Sequence, residues 1–114
     1  MVEKTSPLNL RWGSHMARTP EGKFQDLLRD ELENNFEGCL ILKNDPNLLQ
    51  GVPDLLVLFR NRWALLEVKK SANERKQPNQ RFYVDWANQN SFGAFVFPEN
   101  FESVMIDLQN FFYN

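Results

Sequence analysis

Apolar positions along this chain switch between a helical period and short strand-like runs. Phe24, Leu27, Leu28, Leu32 and Phe36 recur at helical spacing, behind a Thr19 cap and a Pro20 in the first turn. Gly38 ends that helix, and Cys39-Leu40-Ile41-Leu42 reads as a short strand. Asn44 to Val52 has loop composition, with Asp, Pro, Asn and Gly. Two apolar runs, Leu55–Phe59 and Trp63–Val68, then flank a polar turn at Arg60-Asn61-Arg62 and predict a β-hairpin. Ser71 to Gln77 is polar and reads as a flexible segment. Pro78 starts a second helix to about Asn90, with Tyr83, Val84 and Ala87 on one side. Gly93 reads as a break before a strand at Ala94–Phe97, and Pro98-Glu99-Asn100 stops that strand. A last helix carries Phe101, Val104, Met105, Leu108 and Phe112. The predicted order is α-β-β-β-α-β-α, a small α/β sandwich with a mixed sheet. The stretch from the hairpin through the second helix to Phe95 has the length of a parallel crossover.

Three charges interrupt the hairpin: Asp54, Glu67 and Lys69. A charge in a buried strand is costly unless it is paired or binds a metal. Side chains alternate along a strand, so Leu65, Glu67 and Lys69 share a face, as do Asp54, Leu56 and Leu58. A two-residue loop at Arg60-Asn61 sets Asp54 opposite Glu67, with Cβ atoms roughly 5 Å apart. A three-residue loop would put them on opposite faces. Two carboxylates that close repel, and a divalent cation between them removes the repulsion. Oxygen ligands suit Mg2+ or Mn2+ better than zinc. A neighbouring lysine can orient or deprotonate a water and stabilise negative charge developing on phosphorus. The hairpin therefore fits metal-assisted phosphodiester hydrolysis. The plainer reading is an ordinary hairpin with a Glu–Lys surface pair. The apolar neighbours of Glu67 (Leu65, Leu66 and Val68) weigh against it.

Composition narrows the chemistry further. The 114 residues make one domain. Residues 13–16 read Gly-Ser-His-Met, the scar of a cleavable tag, so residues 1–15 are set aside as a tag remnant and 16–114 read as a single nuclease domain. His15, the one histidine, falls in that remnant, and Cys39 is the one cysteine. Ser-His-Asp and Cys-His catalysis and a Cys/His zinc site are thereby excluded, as is an internal disulfide. A lone cysteine suits a reducing compartment. No run of eighteen apolar residues and no secretory signal is present, so no membrane association is expected. The net charge of −2 gives no globally basic signature. Locally, Lys69, Lys70, Arg75, Lys76 and Arg81 cluster with only Glu74 opposing them, and Arg60 and Arg62 add to this in the hairpin turn. Beside a carboxylate pair, such a run reads as phosphate-facing. Phe82 and Trp86 lie off the Tyr83–Ala87 side of their helix, as second-side core or as a dimer contact.

Asp54 with Glu67-Val68-Lys69 resembles the PD-(D/E)XK nuclease superfamily, whose core order is α-β-β-β-α-β. More narrowly, the flow from Glu21 through Gly51-Val52-Pro53-Asp54 and Glu67-Val68-Lys69 to Gln80 resembles the VRR-NUC family. The resemblance spans Thr19 to Phe97. It implies a restriction-endonuclease-like core with a C-terminal helix added. Asp54 and Glu67 would hold Mg2+ or Mn2+, with the Val68 carbonyl as a further ligand. Lys69 would act on the attacking water, and Glu21 would complete the site. Gln80 would position the water or the phosphate, and Lys43 would contact phosphate. Glu31 is an alternative helical carboxylate. Glu21 also has a plainer reading, as an acid favoured in a helix's first turn, and Gln80 has one as a helix-start residue bonded to backbone. Stand-alone members of the family occur in bacteriophages and bacteria and act as homodimers on branched DNA, in the manner of Holliday-junction resolvases. That implies an endodeoxyribonuclease of the bacterial or phage-infected cytoplasm. The competing reading is a non-catalytic nucleic-acid-binding module, or an interaction subunit, on a nuclease fold.

Overall fold

A computed structural model describes residues 19–114. The expected tag remnant lies outside the described residues. Thr19 caps the first helix, α1 (Pro20–Asn35), by accepting the Gly22 N–H at 3.1 Å on its hydroxyl oxygen. Gly38, at φ +88°, turns the chain into β1 (Leu40–Lys43). The hairpin follows as β2 (Leu55–Phe59) and β3 (Arg62–Val68). Then come α2 (Pro78–Asn90), β4 (Phe92–Val96), a 3-10 turn at Pro98–Asn100 and α3 (Phe101–Tyr113). The sheet order is β1-β2-β3-β4, antiparallel except for the parallel β3–β4 pair. This is the expected α-β-β-β-α-β-α mixed sandwich.

The two faces of the sheet are covered differently. On one face Leu55, Val57, Phe59, Ala64, Leu66 and Val68 pack against Phe24, Leu28 and Leu32 of α1 and Val104, Met105, Leu108 and Phe112 of α3. Phe36 anchors the far corner, with edge-on contact to Phe112 at 5.0 Å between ring centroids. On the other face α2 lies over β3 and β4. Gly93 is inside β4 and does not break it, contrary to expectation. A Cβ there would come within 2.3 Å of the Val84 carbonyl oxygen and 2.8 Å of the Ala87 Cβ. The glycine therefore permits the close approach of α2 to the strand.

Leu27 is not core: it is 51% exposed, while Gln25 and Arg29 are buried. Successive helical residues turn by about 100°. The buried arc from Phe24 and Leu28 to Gln25 and Arg29 is therefore centred on the line through Glu21. Leu27 and Glu31 fall beyond its edge. Phe82 and Trp86 are exposed rather than second-side core, at 62% and 46%, with Trp86 stacked on Trp63. The polar segment after Lys69 forms a bonded turn: Glu74 N–H donates to the Ser71 carbonyl and Ala72 N–H to Glu99 Oε1. Among the described residues, no helix is long and apolar enough to cross a membrane.

Candidate functional site

The hairpin closes through the two residues Arg60 and Asn61, with Arg60 at φ +57°. Phe59 pairs with Arg62 and Leu55 with Leu66. One further step of that register sets Asp54 across from Glu67, on the α2 side of the sheet. The loop before Asp54 is fixed by Asn44, which donates its N–H to the Asp54 carbonyl and its Nδ2 to the Pro53 carbonyl, both at 2.8 Å. Asp54 Oδ2 accepts the Val68 N–H at 2.8 Å. The strand carrying Glu67 thus holds the aspartate directly.

α2 supplies the next member. Gln80 Nε2 donates to Glu67 Oε2 at 3.0 Å, and Gln80 Oε1 accepts Lys69 Nζ at 2.8 Å. The same Oε1 accepts the Gln77 N–H at 3.0 Å, so Gln80 bonds the helix start, as its plainer reading has it, and also bridges the two charged residues. Gly51 brings the two walls together. A Cβ at Gly51 would lie 2.3 Å from the Asn79 Cβ, and its φ is +87°. Lys69 Nζ stands 3.7 Å from Glu67 Oε2 and 3.8 Å from Glu74 Oε2. Glu67 and Lys69 are only 4% and 3% exposed, so this is not a surface ion pair.

Burial pushes the Glu67 carboxyl up to about 8, and the charges of Asp54 and Glu21 add to it against Lys69 and the backbone bond. Asp54 is also raised by burial, with the Val68 N–H, Lys43 and Lys69 pulling it back. Glu21 is raised by burial and by the charges of Glu74 and Asp54. Three acids from α1, the β2 entry and β3 therefore feel one another. Glu31 lies ten residues further along α1 than Glu21, about 15 Å at the helical rise. As they stand, no three His, Cys, Asp or Glu among the described residues form a metal-binding group.

The basic residues divide. Lys70, Arg75 and Arg81 are exposed around the site. Lys76 lies over the Phe95 and Phe97 rings and Arg81 over Phe95, tying the turn and α2 to β4. Lys43 Nζ donates to Gln25 Oε1 at 2.6 Å. Arg60 and Arg62 do not join this patch. They sit at the turn end of the hairpin, five residues or roughly 17 Å along β3 from Glu67. There Arg60 covers Phe59 and Tyr113, and Arg62 donates to the carbonyls of Phe111 and Asn114.

Gln25, Glu74 and Asn44 belong to the site without having been expected there. Gln25 was readable from its i+4 spacing after Glu21. Glu74 was visible only as the odd acid in a basic run. Asn44 carried no signal of its own.

A solved structure described as a VRR_NUC domain is 31% identical over 70% of this chain and 85% of its own length, with a TM-score of 0.58. The chain belongs to the VRR-NUC family. A second VRR-NUC structure, described as a VRR_NUC domain protein, shares the fold at 14% identity and a TM-score of 0.60, over 86% of this chain and 92% of its own. No protein-family model and no curated protein matches the chain. The VRR-NUC assignment makes the domain a PD-(D/E)XK-type nuclease fold, with the Asp54–Glu67–Lys69 group on the face that α2 covers.

Proposed function

We propose that the chain is a divalent-metal-dependent nuclease that hydrolyses DNA phosphodiester bonds and selects branched substrates. The observation that carries this reading is the register setting the half-buried Asp54 opposite the buried Glu67, whose carboxyl burial and the Asp54 charge raise, with a buried lysine bonded to the same glutamine as Glu67.

The donors fit a hard divalent cation. They are all oxygen, and the acids that burial and mutual charge raise are those a cation would return to their ionised form. Asp54 and Glu67 would hold Mg2+ or Mn2+, with the Val68 carbonyl and Glu21 completing the set; Glu21 would first have to leave its bond to Glu74. When bound, the cation supplies Lewis-acid charge and makes water a better nucleophile at neutral pH.

The chain's own groups do the rest. Gln80 fixes Lys69 Nζ beside Glu67, so the ammonium has one direction in which to orient the attacking water and stabilise the charge that grows on phosphorus. Asp54, held by the Val68 N–H and by Asn44, keeps its place across from Glu67. Lys43, Lys70, Arg75 and Arg81 provide positive charge for the flanking phosphates. The exposed Phe82 and Trp86 on α2 support a homodimer, which gives a second site for a second strand.

Incubating the protein with linear duplex, single-stranded, flapped and four-way DNA, with and without Mg2+, tests this. The expected result is metal-dependent cutting, fastest on the branched substrates. Equal rates on all four remove the branch selection. Binding without any cutting favours the non-catalytic module, and no binding or cutting removes DNA as the substrate.

A further inference from the structure

Glu74 is the one acid in the basic run that follows β3, and its carboxylate sits among groups that attract anions. Its Oε1 accepts the Lys70 backbone N–H at 2.7 Å, and its Oε2 stands 3.8 Å from Lys69 Nζ. The Glu21 side chain hydrogen-bonds it from the α1 side. A backbone N–H, an ammonium and a carboxyl thus converge on one carboxylate. The turn that presents it is held at both ends, by Glu74 N–H on the Ser71 carbonyl and by Lys76 over the Phe95 and Phe97 rings.

We propose that the Lys70 N–H and the Lys69 ammonium form a phosphate subsite for the nucleic-acid backbone, and that Glu74 fills it as an internal stand-in until the substrate strand displaces it. The inference rests on the nuclease reading above and adds to it a named subsite and a residue that opposes substrate binding. A carboxylate and a phosphodiester oxygen both accept from N–H and pair with ammonium, so each satisfies the same donors. They cannot do so together, because two like charges at one site repel. Entry of a phosphate therefore requires Glu74 to swing away, which also frees Glu21. The cost falls on binding, and removing the carboxylate leaves the donors open to the strand.

The test measures metal-free binding, in EDTA, of a fluorescein-labelled single strand and of a labelled duplex. Wild type is compared with Glu74→Gln, Glu74→Ala and Asp107→Asn, an exposed acid on α3 whose substitution changes net charge equally. Thermal melting confirms that each variant folds. Both Glu74 variants are expected to bind about fivefold tighter at low salt. Their log–log salt slope is expected to steepen by about one unit, as one more phosphate is engaged. Asp107→Asn is expected to change affinity less than twofold. The subsite is overturned if the folded Glu74 variants bind no tighter than Asp107→Asn. If neither the wild type nor the folded Glu74 variants bind either DNA, the subsite is overturned too, while the nuclease reading is decided separately by the cleavage assay with Mg2+. Binding is read without metal, so a failure of cleavage alone does not affect the outcome.

Discussion

β3 carries two kinds of burial on one strand. Ala64, Leu66 and Val68 point into the layer under α1 and α3 and are fully enclosed by apolar side chains. Leu65, Glu67 and Lys69 point toward α2 and are as closed to solvent, at under 10% exposure each. The first set stabilises the fold through area removed from water. The second set keeps two charge-bearing groups where water cannot screen them, and both take a partner from another element, Gln80 of α2. Equal burial on one strand thus serves stability on one face and chemistry on the other, and the alternation of side chains keeps the two apart.

Lys69→Ala is expected to have the largest effect of any single change. DNA cleavage should fall by about a thousandfold or more, the scale of losing a positioned charge-stabilising group. Melting should move little. With the Glu67 carboxyl held up to about 8, it keeps its proton at neutral pH in the metal-free protein, so the nearest charge left without its cation is that of the part-exposed Glu74. Leu66→Ala is the mirror experiment on the other face. It should lower unfolding free energy by about 2–5 kcal/mol, measured in urea, and leave cleavage per folded molecule intact. Each change acting on the other's readout would break the division between the faces.

pH gives a smaller and sharper effect. Unfolded Glu67 loses its proton near 4.5 and the folded residue near 8. Between those values the folded protein binds more protons than the unfolded chain, so its stability falls as pH rises through that window. The slope is at most about 1.4 kcal/mol per pH unit for one group. Raised Asp54 and Glu21 act with the same sign. Metal-free melting should therefore drop between pH 5 and 8, and Glu67→Gln should flatten the drop. Mg2+ should stabilise the wild type more at pH 8 than at pH 5, because the site binds it ionised.

Much of this was legible before the fold. The hairpin followed from the apolar runs, but they left a two- and a three-residue turn open; the Phe59–Arg62 pairing selects the two-residue turn, which admits the register setting Asp54 across from Glu67. Thr19-Pro20 and Pro78 announced their helix starts by known capping chemistry. Gly93 was misread because a strand glycine and a chain break look alike until a helix is seen pressing on the strand. Arg60 and Arg62 were misplaced for a related reason: sequence proximity to a charged pair does not say which end of a strand a turn occupies. Glu74 depends on contacts between α1 and the turn after β3. Those are tertiary distances with no local periodicity to betray them.

The smallest predicted effect separates Glu21 from Glu31. Both are carboxylates of α1, and the position of the buried arc decides between them. Glu21 sits on the centre line of that arc at the helix start, raised by burial and by the charges of Glu74 and Asp54. Glu31 sits at its edge, nearly three turns away. Glu21→Gln keeps the helix and the hydrogen-bonding shape but removes a charge, so it should raise the Mg2+ concentration needed for half-maximal cleavage by about tenfold, in the range of losing a supporting ligand. Glu31→Gln should leave that concentration unchanged. A titration of cleavage rate against Mg2+ reads both variants, and equal shifts would mean that α1 contributes only general negative charge and no ligand.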